Sequence, residues 1–179
     1  MRPDRITPFK AQQGIAGGDE YRQTVATALE NFKASTAQST ALFSAEGLSY
    51  LREPAEIAWL RSCLGEDVVV IACLRNLRDY KVAYRHMLER HGIAPSTDKD
   101  SIAYLAEDSW LWRFSERLRP FREQLGSGQV TVIDYDFEMR THGNIIPAWL
   151  RALGLERHFA PDEWEAIFLN RRPTTVAAR

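Results

Sequence analysis

The chain has 179 residues, of which 45% are hydrophobic and 26% are charged, a composition typical of one compact globular domain. It excludes a disordered tail, a collagen-like fibre and a disulfide-bonded scaffold. The net charge of -1 excludes a protein-wide basic surface for non-specific binding of nucleic acid, so any anion site must be local.

In chain order, hydrophobic periodicity and the positions of Gly and Pro predict alternating helices and strands. The expected elements are an irregular segment over residues 1–18, a helix over 19–35, a strand over 40–44, a helix from Pro54 that ends at Gly65, a strand over 67–74, a helix over 77–90, one or two helices within 101–125, a strand over 130–135, a helix over 145–153 and a last helix over 161–168. Residues 19–169 form the expected domain, and residues 170–179 form a basic tail.

The strand over residues 67–74 carries the clearest signal for the fold class. Its sequence, Asp-Val-Val-Val-Ile-Ala-Cys-Leu, is continuously apolar rather than alternating, which is typical of a parallel strand covered by helices on both faces. Because helices and strands alternate, we predict the α/β class, with a parallel three-stranded sheet flanked by helices on both faces.

Cysteine content and hydropathy indicate a cytoplasmic protein. Cys63 and Cys73 lie in or beside apolar stretches, where we expect two reduced core thiols. No stretch reaches the roughly 18 apolar residues of a membrane helix, and residues 1–13 lack the apolar run of a secretory signal. We therefore expect no membrane span.

Polar residues follow each predicted strand, at the sheet edge where parallel α/β proteins bind ligands. They occupy positions 44–47, 75–79 and 136–138. Arg75 stands where a strand passes into a helix, so its guanidinium can bind a phosphate or sulfate group. A pairing of Arg75 with Asp79 or Glu46 is the alternative. Glu46 is a candidate general base or cation partner, with a solvated loop carboxylate as the alternative.

Patterns typical of metallohydrolases and serine hydrolases are missing from the sequence. No His-x-Glu, Cys-x-x-Cys or Gly-x-Ser-x-Gly pattern occurs, so we predict no metal site. The stretch over residues 110–112, Trp-Leu-Trp, is predicted to be core rather than a stacking platform for a ligand.

Three segments follow one another in an order found in a known family. In residues 69–84, VVIACLRNLRDYKVAY, a hydrophobic strand ends in Arg and an Asp follows four residues later. Residues 42–48 read LFSAEGL, and residues 132–136, VIDYD, precede a helix that ends in Gly-Leu at 154–155. Together these segments resemble sulfotransferases of the bacterial sulfotransferase-like kind, which have a P-loop-type fold. The resemblance covers about residues 40–155.

The resemblance implies an enzyme that transfers a sulfuryl group from 3′-phosphoadenosine 5′-phosphosulfate to a hydroxyl or amine. The acceptor would be a small molecule or a carbohydrate. Arg75 would hold the 3′-phosphate, Asp79 and Lys81 would belong to the same cofactor site, and Glu46 would act as the acceptor's base. Neither nucleic acid nor a metal ion takes part.

The chain departs from the family pattern at two points. Ala83 replaces a Ser that contacts the 3′-phosphate, a loss for which Lys81 can compensate. The first strand and the Gly-rich loop that cradles the 5′-phosphosulfate have no counterpart, and each lost donor of that kind costs about 3 kcal/mol of transition-state stabilisation. The alternative function is therefore a non-catalytic interaction protein that keeps the sulfotransferase architecture. A sheet without that strand leaves backbone groups unpaired. We therefore expect the chain to pair this gap with a partner or with a second copy as a homo-oligomer, to close it by rearranging its strands, or to be poorly soluble alone.

Overall fold

The computed structural model describes residues 19–35, 40–44 and 46–160. The helices and strands in these residues are α1 (Asp19–Ser35), α2 (Pro54–Leu64), β1 (Val70–Leu74), α3 (Leu77–Arg90), α4 (Phe114–Leu125), β2 (Val130–Asp134), α5 (Tyr135–His142) and α6 (Ile146–Ala152). Short 3-10 helices span Glu46–Tyr50, Trp110–Trp112, Ser127–Gln129 and Glu156–His158. Strands β1 and β2 are parallel neighbours, so the chain belongs to the α/β class, as predicted.

The chain divides into two compact units. One comprises the residues up to Val70 together with Leu77–Val130, and the other comprises Ile71–Asn76 together with the residues from Thr131 onward. We call them the larger and the smaller unit.

Helix α2 of the larger unit begins and ends where local sequence signals predict. Pro54 occupies its first turn, and the backbone N–H of Glu53 donates to the carboxylate of Glu56 at 3.3 Å. At the other end Gly65 adopts a φ of 109° and its N–H donates to the carbonyl of Arg61 at 2.8 Å. A residue with a side chain rarely adopts that φ, so glycine suits this end of the helix.

The core of the larger unit is an aromatic and aliphatic cluster. Tyr84, Leu88 and Trp112 are buried in it, together with Ala103 and Leu111. The core prediction for the Trp-Leu-Trp stretch is thus confirmed for Leu111 and Trp112, whereas Trp110 is partly buried and packs against the cluster. The Tyr84 and Trp112 rings meet edge to face at 5.9 Å, and the Tyr84 hydroxyl donates to the carbonyl of Ile102 at 3.0 Å. Burial raises the pKa of the Tyr84 phenol, so the phenol stays neutral and serves the core as a hydrogen-bond donor.

Two arginines pack against Trp110 beside this core. The Cζ atom of Arg52 lies 4.2 Å from the centre of the indole ring, and that of Arg117 lies 5.5 Å from it. Arg117 also donates to the carbonyls of Leu111, at 3.0 Å, and of Ser49, at 2.6 Å. These contacts tie the 3-10 helix Glu46–Tyr50 to the Trp110–Trp112 turn.

The smaller unit is built on the parallel strands and the two helices that follow β2. Asp134 ends β2 and caps α5, because its carboxylate accepts a hydrogen bond from the N–H of Phe137 at 2.9 Å. Ile133 and Ala148 are its buried hydrophobic residues in the described part of the chain. Glu138 on α5 is buried and accepts from Arg151 on α6, with Nη2 at 2.8 Å from both carboxylate oxygens.

The sheet differs from the predicted one in its number of strands. Residues 40–44 form neither helix nor strand, and Leu42 and Phe43 are 61% and 43% exposed. The described sheet therefore has two strands rather than three. A short apolar run becomes a strand only where another strand supplies hydrogen-bond partners, and apolar content alone does not reveal that partner.

Burial around β1 is also lower than its apolar sequence predicts. The strand spans Val70–Leu74 rather than 67–74, and Val69, just before it, is 51% exposed. Cys73 is exposed and Cys63 is half-buried, so the prediction of two core thiols is wrong, although both cysteines are free thiols.

Three sequence predictions fall outside the described residues: the irregular segment over 1–18, the helix from Pro161 and the tail over 170–179. Among the helices that the structure describes, none has the length and apolar character needed to cross a membrane.

Candidate functional site

The carboxyl ends of the two parallel strands bring several polar residues together in the smaller unit. Strand β1 ends at Leu74 and is followed by Arg75 and Asn76. Strand β2 ends at Asp134 and leads directly into α5, whose first residues are Tyr135 and Asp136. Neighbouring parallel strands place such residues at one edge of the sheet, which is where ligands bind in α/β proteins.

Among the described side chains, Arg75 contacts an aromatic ring and pairs with no carboxylate. Its Cζ atom lies 5.4 Å from the centre of the Tyr135 ring, a cation–π contact. Within the described residues the Nε atom of Arg75 is buried without a hydrogen-bond partner, and Arg75 forms no ion pair. A guanidinium that is not paired with a carboxylate is available to bind another anion.

Asn76 and Asp136 are joined across the strand ends by two hydrogen bonds. The backbone N–H of Asn76 donates to Oδ2 of Asp136 at 2.5 Å, and the side-chain Nδ2 of Asn76 donates to the same oxygen at 3.2 Å. Asn76 is exposed and Asp136 is half-buried, so the contact lies at the surface of this edge.

Three carboxylates act together on the thiol of Cys73, next to the end of β1. Partial burial raises the pKa of Cys73, and the negative charges of Asp134, Asp136 and Glu138 raise it further. The thiol is therefore protonated at neutral pH and is a poor nucleophile. Glu138 is compensated by Arg151, and Nε2 of His142 lies 3.7 Å from its Oε2.

The other predicted cofactor residues lie on α3, in the larger unit. Asp79 is exposed in the first turn of this helix. The Nζ atom of Lys81 forms an ion pair with Glu107 at 2.5 Å and lies 5.5 Å from the centre of the Trp112 ring. The ammonium group of Lys81 lowers the pKa of Glu107. Lys81 thus already has a counter-charge within its own unit.

Glu46, the predicted base, is the first residue of the 3-10 helix Glu46–Tyr50. Its side chain lies outside the part of the chain that the structure describes. Its role therefore stays a prediction.

The sequence assigned no individual role to Asn76, Tyr135 or Asp136. Asn76 and Asp136 were counted among the polar residues after a strand, and Tyr135 and Asp136 belong to the segment 132–136 that carries the resemblance. The sequence also placed Tyr135 at the end of a strand, whereas Tyr135 begins α5. The run Asp134-Tyr135-Asp136 is the signal that was available, because an Asp after an apolar strand is a common helix cap.

No group of three or more His, Cys, Asp or Glu side chains among the described residues is arranged to hold a metal ion. Comparison of the chain with protein-family models, curated proteins and solved structures gave no match.

Proposed function

We propose that this chain is a sulfotransferase-like protein that binds a 3′-phosphorylated adenosine nucleotide through Arg75. The observation that carries the proposal is a guanidinium at the carboxyl end of a parallel strand, stacked on Tyr135 and without a carboxylate partner among the described residues. Such a guanidinium can form paired hydrogen bonds with a phosphate or sulfate group. The sequence resemblance selects the nucleotide from among the possible anions.

Binding and transfer are separate parts of the proposal. Transfer to a small-molecule or carbohydrate acceptor would use 3′-phosphoadenosine 5′-phosphosulfate as donor and Glu46 as base, as the resemblance implies. The sequence contains no Gly-rich loop with a following Lys for the 5′-phosphosulfate. Nucleotide binding is thus the first step to test.

The test is calorimetric titration of the chain with 3′-phosphoadenosine 5′-phosphate. Arg75→Ala should weaken binding about 10- to 150-fold, the loss expected for one charged hydrogen-bonding group. Arg75→Lys keeps the charge but loses the planar guanidinium, so its affinity should be intermediate. Arg140→Ala removes an exposed arginine from α5 in the same unit and serves as the matched control. Equal affinity of wild type and Arg75→Ala would contradict the proposal.

The transfer step needs its own assay. Wild type and Glu46→Gln should be compared for transfer of labelled sulfate from 3′-phosphoadenosine 5′-phosphosulfate to hydroxyl, amine and carbohydrate acceptors. Transfer by wild type that Glu46→Gln abolishes supports the enzyme. Nucleotide binding without any transfer favours the non-catalytic alternative.

A second candidate function, a non-catalytic interaction protein, draws support from exposed apolar residues in the smaller unit. Val132, Phe137 and Met139 are 42%, 51% and 36% exposed, and each described strand pairs on one side only. Open strand edges beside apolar side chains favour pairing with another chain. Sedimentation over a range of concentrations tests for self-association, and Phe137→Ser should reduce it if this surface takes part.

A further inference from the structure

We infer that Asp136 sets the strength of anion binding at the strand edge, because its carboxylate already occupies the hydrogen-bond donors next to Arg75. This inference rests on the proposed function, since it concerns the same site. It adds a determinant of affinity that the family resemblance does not supply.

The carboxylate of Asp136 already lies where the oxygen of a bound anion would accept hydrogen bonds from Asn76. The two nitrogens of Asn76, the backbone N at 2.5 Å and the side-chain Nδ2 at 3.2 Å, both donate to the single oxygen Oδ2 of Asp136. A phosphate or sulfate oxygen bound beside Arg75 needs donors of this kind. Asn76 is exposed, so a ligand can approach this residue from the solvent.

The negative charge of Asp136 also lowers the affinity for an anion at Arg75. Asp136 brings a negative charge to the residue next to Arg75, and that charge opposes an incoming anion. An anion at Arg75 must therefore either compete with Asp136 for the hydrogen bonds of Asn76 or bind through Arg75 without them.

Asp134 is a matched reference for the effect of charge alone. It lies two residues before Asp136 and carries the same charge, but its carboxylate accepts from the N–H of Phe137 instead. Replacement by Asn removes the charge at either position and weakens the negative field at the edge. Only at Asp136 does it also replace the charged acceptor of the Asn76 hydrogen bonds by a weaker, neutral one.

The experiment compares Asp136→Asn and Asp134→Asn with wild type in calorimetric titrations with 3′-phosphoadenosine 5′-phosphate at one fixed salt concentration. Asp136→Asn should bind about five- to tenfold more tightly than wild type, as expected when one competing charged acceptor is removed. Asp134→Asn should gain clearly less. Thermal unfolding of both variants checks that they fold, and Asp136→Ser is a second variant should Asp136→Asn fail to fold.

Amide NMR gives a readout at the site itself. The Asn76 backbone resonance should shift during the titration in Asp136→Asn more than in wild type. A purely structural role for Asp136 would give Asp136→Asn a weaker affinity and no gain in this shift.

The outcomes separate the inference from the proposed function. Binding by wild type with no gain in Asp136→Asn overturns the inference and leaves the proposed function in place, and an equal gain in both Asn variants does the same. Binding by Asp136→Asn but not by wild type supports the inference and contradicts the proposed function of the native chain. No binding by any variant overturns both.

Discussion

At the scale of single residues, Tyr135 positions the guanidinium on which the proposed function depends. The ring lies 5.4 Å from Cζ of Arg75, and a cation–π contact of this kind contributes about 0.5–2 kcal/mol. Tyr135→Leu should therefore weaken binding of 3′-phosphoadenosine 5′-phosphate by about two- to thirtyfold, whereas Tyr135→Phe should bind like wild type because it keeps the ring. Calorimetric titration measures both. An equal loss in the two variants would point to the hydroxyl instead of the ring.

Lys81 and Glu107 form an ion pair whose titration can be followed directly. Because the Lys81 ammonium lowers the pKa of Glu107, Lys81→Met should raise that pKa towards the usual value for glutamate. Carbon NMR of the carboxyl groups during a pH titration measures it. Lys99→Met is the control, since Lys99 lowers the pKa of Asp108 instead and should leave Glu107 unchanged.

The sign of the pH effect on stability follows from the lowered pKa of Glu107. A carboxyl whose pKa is lower in the folded state stabilises that state at pH values above its pKa in the unfolded chain, and the contribution is lost as the pH falls through its pKa in the folded state.

The ion pair with Glu107 is also the reason that we expect Lys81→Met to weaken nucleotide binding less than Arg75→Ala.

At the scale of elements, the buried Glu138 joins α5 to α6 through Arg151. Glu138 is 8% exposed and accepts from Arg151 with both oxygens at 2.8 Å. Arg151→Ala should lower the free energy of unfolding by about 1–2 kcal/mol, less than the roughly 3–5 kcal/mol of a fully buried pair, because the Arg151 side chain is 46% exposed. Urea unfolding measures the loss.

Arg113→Ala is the matched control for that prediction. Arg113 pairs with Glu116 at 3.4 Å on the exposed surface, where an ion pair contributes about 0–1 kcal/mol. Equal destabilisation by the two variants would contradict a specific role for the buried carboxylate.

At the scale of the whole molecule, the two units differ in how much hydrophobic core they contain. The larger unit buries eight of the hydrophobic residues that the structure describes, among them Tyr84, Leu88 and Trp112. The smaller unit buries Ile133 and Ala148 in its described part. Elements with few buried apolar contacts open at a lower free energy.

Hydrogen exchange should reveal this difference. Amides of β2, α5 and α6 should exchange faster than those of α3 and α4. Exchange is carried out on the folded, full-length chain, which is then digested so that mass spectrometry can measure deuterium uptake in each peptide. Equal protection in both units would show that buried apolar area in the described residues does not set local stability here.

The sequence by itself determined those features that depend on a few neighbouring residues. Pro54 and Gly65 mark the ends of α2 because the backbone preferences of proline and glycine are local. The periodic apolar residues of α1 and α3 predicted both helices for the same reason. The position of Arg75 at the end of an apolar strand could also be read from its neighbours.

Only the tertiary structure decided which residues meet across the chain. Residues 40–44 have the apolar content of a strand. A strand also requires a second strand as hydrogen-bonding partner, and that partner comes from a distant part of the sequence. The contacts of Asp136 with Asn76 and of Lys81 with Glu107 join residues 60 and 26 positions apart. No local pattern specifies such pairs, because each depends on where the folded backbone places two side chains.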